Sequence, residues 1–209
     1  FMLVYLVRHG ESEGNKSQTY QFPETELSEI GKRQAEILAE RLAKIPIDFI
    51  YASSYKRAQQ TAEIISKVKN LKIETWDDIR EIRRPSILRG KHVRSVEAKL
   101  FEKAYLKNYK NPSWKFSDEE NFSDLKVRAE KVLNHLLENH SDQNVLLVSH
   151  GTFIKTLASL VLFKESLTAK IFWNFRHHAI IKNTGITICE HTEKFGWSLV
   201  SWNDMQHLG

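Results

Sequence analysis

The sequence predicts an α/β fold in which strand and helix signals alternate along the chain. Two short apolar runs, 2–7 and 144–148, contain β-branched residues and are typical of buried parallel strands. Each run leads into a histidine and a glycine, first at His9 and again at His150. Ligands bind outside the carboxyl ends of the strands in such a sheet. If the two strands are neighbours, both imidazoles and Arg8 meet in one cavity.

The segment after the first strand is expected to form a loop and then a helix. Residues 11–26 are polar and rich in turn formers, which is typical of an active-site loop. Ser28 is a suitable N-cap for a helix that runs to about residue 44, and its apolar residues recur on one face: Ala35, Leu38, Ala39 and Leu42. Residues 47–52 are predicted to form the second strand.

The middle of the chain predicts one more helix and strand, and then an irregular insertion. Ser53 or Ser54 is expected to cap a helix that ends near residue 67, and residues 71–76 predict a short third strand. Residues 77–122 are less regular and rich in aromatic and charged residues. They are expected to form loops and one or two helices that lie over the strand ends and cover the active site.

The last third of the chain starts with a strongly periodic helix from Ser123. A second helix, over about 152–162, is expected after the strand that precedes His150. The closing part alternates in short strands, which are predicted at 179–182, 185–190 and 197–202. We see no linker or repeat, so residues 1–209 are expected to form a single domain with the insertion at about 77–122.

The composition excludes several classes of protein. Its 41% hydrophobic and 27% charged residues are ordinary for a globular protein, and no apolar run is long enough to span a membrane. The net charge of +5 raises the question of nucleic acid, but the basic residues are interspersed with glutamates on helical surfaces and no nucleic-acid motif is present. Cys189 is the single cysteine and cannot form an internal disulfide, so we expect a cytoplasmic protein.

Four motifs give the chain a family resemblance. The segment 6–12, with Asn15 shortly after it, resembles the signature of the histidine phosphatase superfamily, which includes the cofactor-dependent phosphoglycerate mutases. The likeness continues at residues 27–35, 52–62 and 149–151, and in the closing segments 183–187 and 202–208. This resemblance implies a three-layer α/β/α sandwich around a mostly parallel sheet, as in the phosphoglycerate mutases.

The resemblance and the chemistry of the residues together assign roles in phosphoryl transfer. His9 is the expected nucleophile, because a neutral imidazole nitrogen can attack phosphorus when its other nitrogen donates to a fixed acceptor. Arg8 and Arg57 are expected to bind the phosphoryl oxygens, since a guanidinium matches their geometry. His150 is expected to donate to the same oxygens, and the bound phosphate dianion is expected to keep it protonated. Without the motif, Arg57 would be taken for a surface arginine on a helix.

The leaving group needs a general acid, and the resemblance implies Glu81. In the family this acid is often a glutamate in a Leu/Ile-Arg-Glu segment after the third strand, and Ile79-Arg80-Glu81 fits that pattern. A phosphate nearby should raise its pKa and keep the proton available. The alternative is a glutamate that only pairs with Arg80 or Arg84.

The substrate-binding residues are less directly indicated. Asn15 can donate its amide to a phosphoryl oxygen, and Ser12 lies in the same loop. The chain departs from the commoner family pattern at Arg83 and Arg84, where many members have a glycine and an aromatic-acidic pair. This basic stretch is either a solvated loop or the rim of a pocket that favours a substrate with a second anionic group.

These residues predict a phosphatase that hydrolyses small-molecule phosphate monoesters through a phosphohistidine on His9. No metal and no cofactor are expected, because arginine and histidine already meet the phosphoryl charge. A phosphoglycerate-type mutase would use the same intermediate and return the phosphoryl group to a second hydroxyl. A binding module for phosphorylated ligands is the third possibility. The expected partner in each case is a small phosphorylated molecule, with no nucleic acid and no membrane.

Overall fold

A six-stranded sheet runs through the centre of the computed structural model, which describes residues 1–209. The strands are β1 (Met2–Arg8), β2 (Phe49–Ala52), β3 (Ile73–Thr75), β4 (Asn144–Ser149), β5 (Ile186–Thr192) and β6 (Gly196–Asp204), in the order β3-β2-β4-β1-β5-β6. The first four in that order are parallel, while β5 is antiparallel to both of its neighbours. Strands β1 and β4 are adjacent and Arg8 lies opposite Ser149. The two histidines that follow these strands therefore emerge side by side.

Helices cover both faces of the sheet. They are α1 (Glu13–Lys16), α2 (Glu29–Leu42), α3 (Lys56–Lys69), α4 (Val96–Asn108), α5 (Phe122–Asn139), α6 (Gly151–Phe163) and α7 (Ala169–His178). Helices α2 and α3 pack on the face that presents Val7 and Val148, and α5 and α6 pack on the face that presents Leu6 and Leu147. This alternation of strand side chains between two cores confirms the predicted α/β/α sandwich. No helix of the chain is long and apolar enough to cross a lipid bilayer.

The predicted helix starts are partly correct. Ser28 caps α2 as expected, with its hydroxyl accepting a hydrogen bond from the Gly31 N–H at 3.0 Å. The N-cap of α3 is Tyr55, without a side-chain bond, and the prediction of Ser53 or Ser54 there was wrong. Their hydroxyls are engaged elsewhere, because Ser53 bonds to His150 and Ser54 donates to Asp77. Asn121 caps α5, so this helix starts one residue before the predicted Ser123.

One prediction in the last third of the chain was wrong, and one helix there was missed. Residues 179–182 form no strand, because their polar backbone groups bond to side chains instead of a neighbouring strand: Arg8 Nη1 donates to the Ile181 carbonyl and Trp202 Nε1 donates to the Ile180 carbonyl. Helix α7 was not predicted at all. Its N-cap is Thr168, whose hydroxyl accepts a hydrogen bond from the Ile171 N–H.

The insertion between β3 and α5 contains one full helix, α4, and two short 3₁₀ turns at Asp77–Ile79 and Ser86–Leu88. Its two ends meet. The Glu120 N–H donates to the Arg83 carbonyl at 3.0 Å, and the Ser86 N–H donates to an Asp118 carboxylate oxygen at 2.9 Å. The two ends of the segment 84–119 thus lie side by side and are joined by hydrogen bonds.

The loop after His9 lies directly against the start of α2. A Cβ at Gly10 would lie 2.4 Å from the Gly31 carbonyl oxygen, and a Cβ at Gly31 would lie 1.8 Å from the Glu11 carbonyl oxygen. Both obstacles are backbone atoms, which cannot rotate away. The two glycines are therefore needed for this close approach, and it fixes the distance between α2 and the loop that follows the nucleophile candidate.

We expect Gly31→Ala to destabilise the protein although alanine favours helices. The usual gain for Gly to Ala in a helix is about 0.5–1 kcal/mol. Here the methyl group collides with backbone, and such overpacking costs about 1–3 kcal/mol or more. Denaturant unfolding should show a lower midpoint than wild type. Lys32→Ala, at the exposed next position of α2, is the control and should change stability little; a stabilised Gly31→Ala would contradict the collision.

Candidate active site

A cavity of about 200 Å³ opens at the carboxyl edge of the parallel strands, where the sequence places the site. Seven of the predicted site residues line it: Arg8, His9, Asn15, Arg57, Glu81, Arg83 and Arg84. His150 lies directly behind the lining, with its ring centroid 5.0 Å from that of His9. Ser12 lies outside the cavity. Most of the residues that were selected from separate motifs therefore meet in one place.

His9 is buried and held in one orientation. Its Nδ1 lies 2.7 Å from the Gly10 carbonyl oxygen, and a carbonyl can only accept, so Nδ1 carries the proton. Nε2 then has a free lone pair, and Arg57 Nε donates to it at 3.2 Å. Burial, with Arg57 and Arg8 close by, holds the pKa of His9 well below its usual value. The ring is neutral at neutral pH, which is the form that can attack an electrophile.

The backbone after His9 is fixed by α3. The Gly10 N–H donates to Thr61 Oγ1 at 3.1 Å, and the Thr61 hydroxyl donates to the Arg57 carbonyl at 2.8 Å. The Gly10 carbonyl that orients His9 thus belongs to a peptide with a fixed position. The acceptor for Nδ1 is the carbonyl of the adjacent residue, which the sequence did not specify.

Two arginines, the partly buried Arg8 and the buried Arg57, line the same cavity. Arg8 Nη1 donates to the Ile181 carbonyl at 2.7 Å, while its Nε is buried without any partner. Arg57 donates to the Phe22 carbonyl at 3.2 Å, and burial lowers its pKa to about 10, so it keeps its charge at neutral pH. Unsatisfied buried N–H groups are rare. The Arg8 Nε–H is therefore an open donor for an anion.

His150 presents a second open position. Its Nε2 lies 2.8 Å from Ser53 Oγ, and its Nδ1 is buried without a partner. Burial, together with Arg57, His9 and Arg8, holds the pKa of His150 well below its usual value. The ring is thus neutral in the ligand-free protein, and the protonated His150 expected beside a bound phosphate stays a prediction. The ring can still donate, because a Ser53 hydroxyl that donates to Nε2 leaves the ring proton on Nδ1.

Glu81 sits at the N-terminus of α6 and lines the same cavity as His9. Its carboxylate accepts hydrogen bonds from the N–H groups of Ile82 at 2.9 Å, Thr152 at 3.1 Å and Phe153 at 3.2 Å. Neither Arg80 nor Arg84 forms a salt bridge with it; Arg80 pairs with Asp77 and Glu120 instead. Glu81 therefore lines the cavity without an ion-pair partner, and the alternative of simple pairing with those arginines is not what the structure contains.

A buried ion pair holds the backbone on both sides of Glu81. Glu120 and Arg128 form a bidentate pair at 2.9 Å for both contacts. Arg128 also donates to the carbonyls of Asp78 and Arg80, and Glu120 accepts from the Arg83 N–H at 2.7 Å. Residues 80–83 have no regular secondary structure. Their position depends on this pair.

Asn15 and Ser12 differ in their surroundings. Asn15 lines the cavity, and its Oδ1 accepts hydrogen bonds from Ser12 and from Asn183 Nδ2, which leaves its amide nitrogen without a partner in the chain. Ser12 is fully buried, and its hydroxyl bonds to Asn15 and Gln21 while it caps α1. The structure therefore places Ser12 behind the cavity, where it positions Asn15 and cannot contact a ligand.

The basic stretch divides into exposed and enclosed arginines. Arg83 is exposed, and its Nε donates to the Asp118 carbonyl at 3.2 Å. Arg84 is partly buried and makes no hydrogen bond within the chain. Arg84 and Ile82 also line a second, smaller cavity of about 30 Å³. The sequence analysis considered Arg83 and Arg84 as one basic stretch, whereas in the structure they differ in exposure and in hydrogen bonding.

Several residues around the cavity were missed by the sequence analysis. Ser53 bonds to His150, Asn183 Nδ2 donates to the His9 carbonyl at 2.9 Å, and Tyr55 places its ring 5.2 Å from that of His150. Ser53 follows β2 just as His9 follows β1 and His150 follows β4. The same signal, a polar residue at the carboxyl end of a strand, could have found it.

No cluster of three or more histidine, cysteine or acidic side chains has the geometry of a metal site.

The family model of the histidine phosphatase superfamily (branch 1) matches residues 4–205. Phosphoserine phosphatase 1 of Hydrogenobacter thermophilus is 32% identical over 82% of this chain and 80% of its own length. The probable phosphoglycerate mutase GpmB of Yersinia pestis is 30% identical over 98% of this chain and 94% of its own. The relatives thus carry both phosphatase and mutase names.

A solved structure with a bound phosphorylated ligand is similar over the full length. Phosphoserine phosphatase from Entamoeba histolytica in complex with 3-phosphoglyceric acid has a TM-score of 0.81 and 25% identity, and the match covers 100% of both chains. The complete overlap means that the insertion and the closing strands have counterparts in that protein as well as the sheet.

Proposed function

This chain belongs to the histidine phosphatase superfamily, and we propose that it is a phosphatase that hydrolyses small-molecule phosphate monoesters through a phosphohistidine on His9. One observation carries the proposal. His9 Nδ1 is bonded to the Gly10 carbonyl, so Nε2 keeps a free lone pair in a cavity that Arg8 and Arg57 also line. Arg8 Nε and, behind the lining, His150 Nδ1 have no partner in the chain. A nucleophile without a proton and a set of oxyanion donors meet at one point.

In the first half of the proposed reaction, His9 Nε2 forms a bond to phosphorus as the bond from phosphorus to the ester oxygen breaks. The Arg57 Nε–H moves from Nε2 to a phosphoryl oxygen, which the partnerless Arg8 Nε and His150 Nδ1 also bind. The leaving alkoxide takes a proton from Glu81. The phosphoryl dianion favours the protonated form of this carboxyl group, which lines the same cavity.

In the second half, water attacks the phosphorus of phosphohistidine and the bond to His9 Nε2 breaks. Glu81 is by then a carboxylate and takes the proton of the attacking water. This reverses its role in the first half, as microscopic reversibility requires. Inorganic phosphate leaves, and His9 returns to its neutral Nδ1–H form.

A mutase would share the first half and differ in the acceptor of the phosphoryl group. The similarity to the probable mutase of Yersinia pestis makes this the competing function. Incubation with p-nitrophenyl phosphate, with and without added phosphoglycerates, distinguishes the two. Hydrolysis releases inorganic phosphate in step with nitrophenol whatever else is present. Phosphoryl transfer to the added phosphoglycerate instead of water would favour the mutase, and no turnover in either mixture would favour a binding module.

We expect activity to persist in EDTA and to gain nothing from magnesium. Arg8, Arg57 and His150 already supply the groups that stabilise the phosphoryl charge, so a divalent ion has no role in the proposed site. The measurement is nitrophenyl phosphate turnover after dialysis against EDTA, with and without added magnesium chloride. Activity that disappears in EDTA and returns with magnesium would contradict the proposed chemistry.

A further inference from the structure

Two arginines beside the phosphoryl site have no anionic partner. Arg84, in the insertion, makes no hydrogen bond or salt bridge within the chain. Arg176, in the last turn of α7, forms no salt bridge; its guanidinium lies 5.9 Å from the ring centroid of Tyr105. Both residues line the second cavity, and Arg84 lines the first as well. Arg84 is thus shared by the two cavities, and Arg176 lies close enough for its charge to act on Arg84.

The carboxylates in this neighbourhood are all engaged elsewhere. Glu81 accepts three backbone N–H groups, two of them at the N-terminus of α6. Glu120 is bound by Arg80 and Arg128, and Glu119 accepts the N–H groups of Phe116 and Ser117. None of them forms a salt bridge with either free arginine.

The two unpaired charges act on each other. Burial, followed by repulsion from Arg176, lowers the pKa of Arg84 to about 10, which still leaves it fully charged at neutral pH. A partly buried cation beside a second cation is unfavourable unless an anion joins them. Glu81 is the carboxylate that acts on Arg84, but the two form no salt bridge, because the Glu81 oxygens accept backbone N–H groups.

We propose that Arg84 and Arg176 form a second anion subsite, which binds a carboxylate or phosphate on the leaving group of the substrate. This inference rests on the proposed phosphatase function of the adjoining cavity. The phosphoryl group to be removed binds to Arg8 and Arg57, and the alcohol portion extends toward Arg84. A guanidinium binds both kinds of anion through paired N–H donors. The preferred substrates are therefore phosphate monoesters that carry a second negative charge.

The structure also separates these residues from the other arginines of the stretch. Arg83 is exposed and donates to the Asp118 carbonyl, and Arg89 is exposed at the rim of the cavity. Charges in contact with water are screened and contribute little to binding. Selectivity for a second anion should depend on Arg84 and Arg176, of which the sequence analysis named only the first.

The experiment compares substrates that differ by one anionic group. O-Phosphoserine and O-phosphoethanolamine differ by a carboxylate, whereas 1,3-propanediol bisphosphate and 3-hydroxypropyl phosphate differ by a phosphate. Phosphate release gives kcat/KM for each, and the ratio within each pair cancels general effects of a substitution on the chemistry. We expect wild type to prefer the doubly charged member of at least one pair by about tenfold to hundredfold, the range that a charge-assisted hydrogen bond supplies.

In Arg84→Gln and in Arg176→Gln this ratio should fall toward one. Arg94→Gln is the matched control, because it removes the same charge from an exposed position of the insertion outside both cavities. Melting curves verify that the variants fold, and Arg84→Lys, which keeps the charge and loses the paired donors, should retain part of the preference. If Arg84→Gln is unstable, the kcat/KM ratios of Arg176→Gln and Arg84→Lys still test whether the subsite exists.

Three results would overturn the subsite. Wild type could show a ratio near one in both pairs, the ratio could survive Arg84→Gln and Arg176→Gln, or Arg94→Gln could lower it equally. Loss of the ratio in Arg83→Gln alone would assign it to the exposed arginine instead. Hydrolysis of p-nitrophenyl phosphate tests the phosphatase function separately. Turnover of this ester together with a kcat/KM ratio near one in both substrate pairs refutes only the subsite. Absence of turnover refutes the phosphatase function on which the subsite rests.

Discussion

Replacement of His9 by alanine should reduce turnover by about 10⁴-fold or more, the size of effect that removal of a nucleophile has in other covalent enzymes. The reason is that Nε2 of His9 is the only nitrogen in the cavity that is both held in place and free to attack. His150 cannot replace it, because its Nε2 is engaged by Ser53. The measurement is kcat for p-nitrophenyl phosphate.

A chemical test accompanies the kinetic one. Wild-type protein that is quenched in alkali after exposure to substrate should carry a phosphate that is stable in base and labile in acid, as expected for phosphohistidine, and the His9→Ala protein should not. His178→Ala, at an exposed position of α7, is the control and should behave as wild type in both assays. Near-normal turnover by His9→Ala would end the phosphohistidine proposal.

Substitution of Glu81 by glutamine should affect substrates according to their leaving groups. Alkyl phosphates leave as strongly basic alkoxides and should lose about 10²–10⁴-fold in kcat/KM, the usual contribution of general acid catalysis. p-Nitrophenolate hardly needs a proton, so its ester should lose far less. The glutamine oxygen can still accept from the Thr152 and Phe153 N–H groups, so the start of α6 should remain intact.

The control for this experiment is Glu102→Gln, which removes an exposed carboxylate of α4 outside the cavity and should leave both substrate types unaffected. An equal loss on alkyl and nitrophenyl phosphates in Glu81→Gln would mean that Glu81 has another role and that the acid lies elsewhere.

The sequence predicted the centre of the site because its residues share a simple signal. His9 and His150 each follow an apolar strand directly, so adjacency of β1 and β4 is enough to bring them together. Their protonation could not be predicted in the same way. The low pKa of His150 results from burial and from Arg57, His9 and Arg8, which are distant in sequence and meet only in the folded protein.

Arg176 was missed because the helix that carries it has no clean apolar stripe. Residues 171–173 are apolar in succession, and Phe172 packs on Phe122 while Trp173 stacks on Tyr109. A helix that is packed on more than one side loses the periodicity by which helices are predicted. Ser53 was misassigned for a related reason, since a serine near a helix start suits an N-cap equally well when its hydroxyl is bound elsewhere.

The closed base of the insertion separates a segment that can vary in length and sequence from the catalytic residues, whose positions must be kept. Residues 84–119 begin and end at the hydrogen bond between Arg83 and Glu120, and the Glu120–Arg128 pair holds that base from inside the core. Lengthening a loop whose ends are already fixed adds little entropic cost. Evolution or protein engineering could therefore replace residues 84–119 with a longer, shorter or unrelated segment and so change which substrates enter the cavity. The general acid Glu81 and the nucleophile His9 would keep their positions relative to each other.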